Sequence, residues 1–274
     1  MTARPGTGVA YKWELRKLLA QKRTYLGLGF AALFPLVFTG ILLLQNGAPE
    51  EALFGRYVRQ TGLATPLLLL FFGSGFLFPL MVALVAGDIV AAEDGNGTLK
   101  TILTRSVDRS PVFAAKTLAA LTYAAAGLLV FGVTAIVAGS IAWGLHPLTS
   151  LSGTVVATPR ALLLIAGALA VYLLPLVAIA SLGLLLSTVT RNSAAAVVGS
   201  LFISLMLALI AIIPGLDGLK PYLLPTQFDA WHGLLREPTD WAPIVRAAWV
   251  CALYSGPALF AGWLAFLRRD VAGG

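Results

Sequence analysis

Charge is the scarcest resource in this chain. Only 11% of its 274 residues are Asp, Glu, Lys or Arg, against 58% hydrophobic, and the mean hydropathy is +0.88. That balance excludes an ordinary soluble domain. One cysteine, Cys251, leaves no partner for a disulfide within the chain and argues against a metal cluster. Two histidines, His146 and His232, both in stretches expected to be loops, are too few and too far apart for a zinc motif. No phosphate-binding loop is present: the nearest candidate, Lys116-Thr117, has Ala115 and Ser110 where a phosphate cradle needs glycine. No ATP hydrolysis is therefore expected of this chain, and no metal or cofactor. "VAGD" at 85–88 faintly resembles an intramembrane aspartyl protease signature, but Val85 replaces the first glycine and no second membrane-embedded aspartate accompanies Asp88. Asp88 is expected one turn inside the boundary, within reach of water.

What the chain has in abundance is long charge-free runs. They cover 24–49, 60–87, 117–159, 161–190, 192–216 and 247–267. Since roughly 20 apolar residues cross about 30 Å of hydrocarbon, six spans fit. The expected architecture is an all-α polytopic membrane protein, a single membrane domain over 1–274. Its spans are placed at about 24–45, 64–88, 111–142, 161–188, 193–213 and 245–267. With the first terminus inside, 13 lysines and arginines fall on the cytoplasmic side and 6 outside, so both termini are expected in the cytoplasm. The net charge of +7 is accounted for by these basic membrane edges and calls for no nucleic acid. The first apolar run is too long for a cleavable signal core.

Residues 10–23, "AYKWELRKLLAQKR", read as an amphipathic interfacial helix held by anionic lipid. Tyr11, Leu15, Leu18 and Leu19 share one face, with Lys12, Arg16, Lys17 and Arg23 elsewhere. Small residues four apart (Ala135/Gly139, Gly183/Ser187, Ala195/Gly199) suit close helix packing. Pro35, Pro79, Pro175 and Pro257 lie inside spans and are expected to kink them. Phe71, Phe72, Phe76 and Phe78, with Phe202 and Met206, are candidates to line an apolar path, although such residues also fill bundles or face lipid. The external segment 214–244 is punctuated by prolines and reads as short, re-entrant-like helices, with Trp231 and Trp241 at interfacial depth.

Between spans two and three lies a polar island, 93–110. Within it Leu99, Ile102 and Leu103 stand at i, i+3 and i+4, opposite Lys100, Thr101, Thr104 and Arg105, and Asn96 or Thr98 can cap the start. A short amphipathic helix follows, docking on protein or resting on lipid. Ser110-Pro111 then opens the third span. Glu93 is expected to pair with Arg105, Arg109 or Lys116.

The stretch "AGDIVAAEDGNGTLKTILTRSVDRSPVFAAK" resembles the first cytoplasmic loop of the ABC type 2 transporter permeases. Glu93, Gly97-Thr98-Leu99, Arg109 and Lys116 match the pattern of an acid, a GTL-type turn, a short coupling helix, an arginine and a lysine opening the next span. "SVDR" departs from the proline that many members carry. The resemblance implies a permease of the cell (inner) membrane that pairs with a second permease copy or a homologous permease. It also implies separate ATP-binding cassette subunits that carry ATP and magnesium. Coupling to them would run through Glu93, Gly97, Thr98, Leu99, Ile102, Leu103, Arg105 and Arg109. The expected cargo is hydrophobic or amphipathic (drug, peptide, lipid or glycan); the alternatives are a non-transporting scaffold or sensor docked to an ATPase, and an intramembrane enzyme.

Overall fold

The computed structural model describes residues 6–45, 47, 52–98 and 108–268. Helix α1 (Thr7–Leu19) is followed after two residues by α2 (Lys22–Leu44). After a linking segment come α3 (Ala64–Gly73), α4 (Leu77–Ala86) and the short α5 (Ala91–Gly95). Two long helices follow, α6 (Arg109–Trp143) and α7 (Thr158–Thr190), joined through a two-residue antiparallel ladder that pairs Leu148 with Val156. Helix α8 (Ser193–Ile212), 3-10 turns at Lys220–Tyr222 and Pro225–Leu235, and α9 (Ala242–Leu267) complete the chain.

The chain is all-α in character. Five helices are long and apolar enough to cross a membrane, or six if the bent pair α3–α4 is one span. Large apolar side chains project outward along them, as with Leu26 at 73%, Ile141 at 82% and Leu163 at 74% exposure. A soluble surface does not carry patches on that scale. The observed helices begin and end within about three residues of the expected spans, the second excepted.

That second span is broken. Helices α3 and α4 meet at 64° across Ser74–Phe76. Pro79 has no N–H to bond the carbonyl of Gly75, and with Gly73, Ser74 and Gly75 just ahead of it the ladder is weak enough for one helix to stop and another to begin. The carbonyls freed at the end of α3 are met by side chains: Ser74 Oγ donates to Phe71 O at 2.8 Å, and the buried Tyr172 hydroxyl of α7 donates to Leu70 O at 3.0 Å. In a lipid setting such internal partners are what permit a break. Pro35, Pro175 and Pro257, by contrast, sit within continuous helices.

Helices α6 and α7 form the centre, and their small residues admit their neighbours. Gly139 packs on Gly62 and Thr65, and Gly183 on Ala86 and Gly87, as the small-residue pattern suggested. The third pair is displaced by one position: Ala195 faces outward, and α8 buries Ala196, Ser200 and Ser204 instead. An aromatic column fills the core, with ring centroids of Phe131–Phe78 at 4.8 Å, Phe78–Tyr172 at 5.2 Å and Tyr172–Phe228 at 4.8 Å. Helix α1 and the end of α9 meet the same end of α6, where Glu14 reaches Lys116 and Arg109 Nη1 donates to Leu267 O of α9. The far end is closed by the segment after α8. There Trp231 is 1% exposed and stacked 6.2 Å from Phe54, packed in protein, while Trp241 stays exposed.

Candidate functional site at the terminal end

Four charged residues from three helices meet beside the start of α6. Lys116 is fully buried, with Nζ 2.7 Å from Glu93 Oε2 and 3.1 Å from Glu14 Oε2, and it donates to Ile89 O at 3.1 Å. Lys17 Nζ reaches Glu14 at 2.9 Å and Glu93 at 2.8 Å from the outer side. Two carboxylates and two ammonium groups thus alternate and cancel. Buried charges are costly unless paired and hydrogen-bonded, and here each has two opposite neighbours. The arrangement clasps α1, α5 and α6 together, and through Ile89 it also holds the chain leaving α4.

Local sequence explains each position. Glu14 and Lys17 are three apart on α1 and share a face. Glu93 lies in the first turn of α5, where unpaired N–H groups favour an acid. The start of α5 is pinned to α7, because Ser187 Oγ accepts from Val90 N at 3.2 Å and Ala91 N at 2.9 Å. Asp88 is paired with Arg23 and only 7% exposed, so it is not the water-reached group expected of it. Arg191 reaches Asp94 at 3.9 Å from the α7–α8 corner. A cavity of about 270 Å³ opens between α1, its turn into α2, and α5, with Lys17, Arg23, Glu93, Asn96 and Thr98 on its walls.

Of the residues expected to couple, Glu93, Gly97, Thr98 and Arg109 are described. Glu93 takes Lys116 as its partner, while Arg109 holds the end of α9. Thr98 Oγ1 donates to Glu93 O at 3.2 Å, and Gly97 adopts φ +69°, a left-handed turn that glycine favours. Leu99, Ile102, Leu103 and Arg105, and with them the expected amphipathic helix, lie outside the described residues. Two participants are not apparent from helical patterning. It sends Lys17 to a wet face and Glu14 to none, yet Glu14 is the only acid in residues 7–23, a signal that something basic must meet it. The face α1 buries is Ala10, Glu14 and Leu18, with Tyr11 bonded to Thr122 of α6 at 2.7 Å; Leu19 points outward at 58% exposure. Helix α1 therefore packs on protein along the face expected to meet lipid.

The proposed apolar path is only partly assembled. Phe76 and Phe202 share a cavity of about 230 Å³ at the break, walled by Pro79, Val198 and Leu205. Phe71 packs edge-on to Phe72, which lies 5.2 Å from Phe38, and Met206 is half-buried on α8. Phe78 belongs to the core column. Among the described residues no three His, Cys, Asp or Glu side chains are grouped to hold a metal ion.

Residues 53–272 match the family described as protein of unknown function (DUF2705). The chain belongs to the DUF2705 family. A comparison with curated proteins gives no match. In this DUF2705 protein the match begins after α2, so it takes in Glu93 and Lys116 of the clasp but not Glu14 and Lys17 of α1.

The clasp has a definite pH signature. Burial works against the Glu93 carboxylate, but Lys116 and then Lys17 outweigh it and hold its pKa below the ordinary 4.5. Burial likewise opposes the Lys17 charge, and Glu93 and Glu14 together raise its pKa above 10.5. A depressed acid contributes stability above its unfolded pKa and loses it as pH falls through the folded one; a raised base loses its share only as pH climbs past 10.5. Stability from the clasp is therefore expected to be flat between about pH 5 and 10 and to fall below about pH 4.5. Melting temperatures of the detergent-solubilised protein across this range check it. Glu93→Gln should lower the plateau and flatten the acid limb; an unchanged acid limb in that variant contradicts the assignment.

Proposed function

We propose that this DUF2705 protein is the membrane-spanning subunit of an ATP-driven exporter, working with separate ATP-binding subunits in the manner of the ABC type 2 permeases that its 86–116 stretch resembles. The observation that carries the reading is the clasp of Glu14, Lys17, Glu93 and Lys116. It stands at the root of the 99–107 segment and ties that segment's base to α1, α6 and, through Ser187, α7. A push on the segment would be passed to several helices at once instead of being absorbed by one loose loop. Closure of the ATP-binding subunits would supply the push, and it shifts the bundle only if the segment is gripped differently in the two states.

In this reading both termini and the clasp face the cytoplasm of the cell (inner) membrane, in line with the excess of lysine and arginine at that end. A second permease copy or a homologous permease completes the unit. The cargo is apolar or amphipathic, since charge is nearly absent from the spans and the cavity at the broken span is walled by Phe76, Pro79 and Phe202. ATP and magnesium are handled on the partner chain.

ATP turnover tests the division of labour. The purified chain alone should hydrolyse no ATP, whereas the assembly purified from its native membrane should hydrolyse it with an ATP-binding subunit present. Robust turnover by the isolated chain, free of contaminating ATPase, would contradict the proposal.

A further inference from the structure

A second polar cavity, about 230 Å³, lies at the far end of the bundle, where the two 3-10 segments meet the first turns of α9. Its wall carries charges that have not found each other. Arg246 is exposed and has no acidic partner among the described residues. Lys220 lines the same cavity, bridged at 2.7 Å to Asp217, which is 79% exposed, so that bridge is a weak surface pair. Asp229 lines it too, and the one basic group within 4.0 Å of its carboxylate among the described residues is His232. That histidine is held neutral at neutral pH: burial, and then Arg236, bring its pKa down to about 4. The Asp229 side chain is itself 55% exposed, open to a ligand from outside.

One small cavity thus offers an arginine lacking an anion, a lysine held only by an exposed surface pair, and a carboxylate lacking a charged cation. A ligand of matching form bears both charges a few ångströms apart. The surroundings say where such a ligand would come from. Tyr222 and Trp249 pack at 5.6 Å beside the cavity, and Trp241 is exposed nearby, an aromatic set suited to a membrane interface. From the cavity, Val245, Trp249, Leu253 and Phe260 run down α9 as one outward apolar stripe, and Gly256 among them leaves open space where a side chain would stand.

We propose that this cavity holds the head of a phospholipid in which a phosphate adjoins a primary ammonium group, with the acyl chains laid along the α9 stripe. Arg246 and Lys220 take the phosphate through charge-assisted hydrogen bonds, and Asp229 accepts from the ammonium. A quaternary ammonium head has no N–H to donate to Asp229, and a glycerol head has no positive charge, so both bind less well. The site is independent of the export proposal and would stand if that reading failed.

The test uses the full-length protein in detergent, offered an equimolar mixture of phosphatidylethanolamine, phosphatidylcholine and phosphatidylglycerol with identical acyl chains. Retained lipid is counted by native mass spectrometry. The wild type should retain phosphatidylethanolamine preferentially. Arg246→Gln should weaken that retention by about tenfold, and Arg246→Lys should restore most of it. Asp229→Asn should keep lipid binding but level the three heads. Melting temperatures equal to the wild type's show that both surface variants remain folded. Equal retention of the three lipids by the wild type, or undiminished phosphatidylethanolamine on Arg246→Gln, overturns the proposal. Free phosphoethanolamine supplies the remaining arm: if it binds as tightly as the lipid, with the same dependence on Arg246 and Asp229, the occupant is a soluble zwitterion and the lipid assignment falls.

Discussion

Lys116→Met is expected to destabilise the bundle by about 3–5 kcal/mol, enough to remove most folded protein from the membrane. Methionine is one atom shorter than lysine but has roughly its volume, so packing changes little. What changes is electrostatic: Glu14 and Glu93 are left facing one buried space with only the half-exposed Lys17 to balance them. Lys17→Met should cost far less, about 1 kcal/mol or under, because its side chain is 41% exposed and water substitutes for it. The sign of a second change separates this account from simple misfit. Glu14→Gln should destabilise the wild type yet stabilise Lys116→Met, since it deletes a charge that the first substitution orphaned. Melting temperatures of the four proteins in detergent give the coupling directly. If Glu14→Gln is equally harmful in both backgrounds, the four residues are not one electrostatic unit.

Gly62→Val is expected to be as damaging for a different reason. At this position the backbone of the segment entering α3 lies directly on the backbone of α6 at Gly139, and Gly62 N donates to Gly144 O at 2.9 Å. A Cβ on Gly62 would fall inside the 3.0 Å that real Cβ atoms keep, and the atoms it meets are main-chain atoms of Gly139 and Ser140. Main chain cannot rotate away as a side chain can, so α6 must shift. Overpacking of this kind costs about 1–3 kcal/mol where side chains can give, and should exceed that here. Gly29→Val is the matched control: its Cβ meets nothing within 4 Å on the outward face of α2. Yield and melting temperature should collapse for Gly62→Val and stay near wild type for Gly29→Val.

The spans were legible because charge-free length is a property of contiguous residues, and hydrocarbon thickness sets a nearly fixed requirement for it. The break between α3 and α4 was not, because 60–87 is one unbroken apolar run. Only Gly73, Ser74 and Gly75 ahead of Pro79 mark it, and Pro35, Pro175 and Pro257 show that proline in a span need not stop a helix. Glu93 and Lys116 were readable as a pair, being 23 residues apart on either side of one loop. Glu14 and Lys17 were not, since their partners are far along the chain and a helical-wheel reading sends every charge to water. The burial of Trp231 was illegible for the same reason: only the packing of Phe54 and the neighbouring helices around it makes it core.

The central claim is that the segment rooted on the clasp grips an ATP-binding subunit. Purifying the tagged chain from its own membrane, as wild type and as Leu99→Asp with Ile102→Asp, measures this most directly. Two carboxylates on an apolar joint cost several kcal/mol each if unpaired, while the spans rely on their own hydrogen bonds and packing. The account predicts an ATP-binding subunit in near-equal amount with the wild type, and none with a variant that still inserts and melts normally. No such subunit with the wild type, or its undiminished presence with the variant, would contradict it.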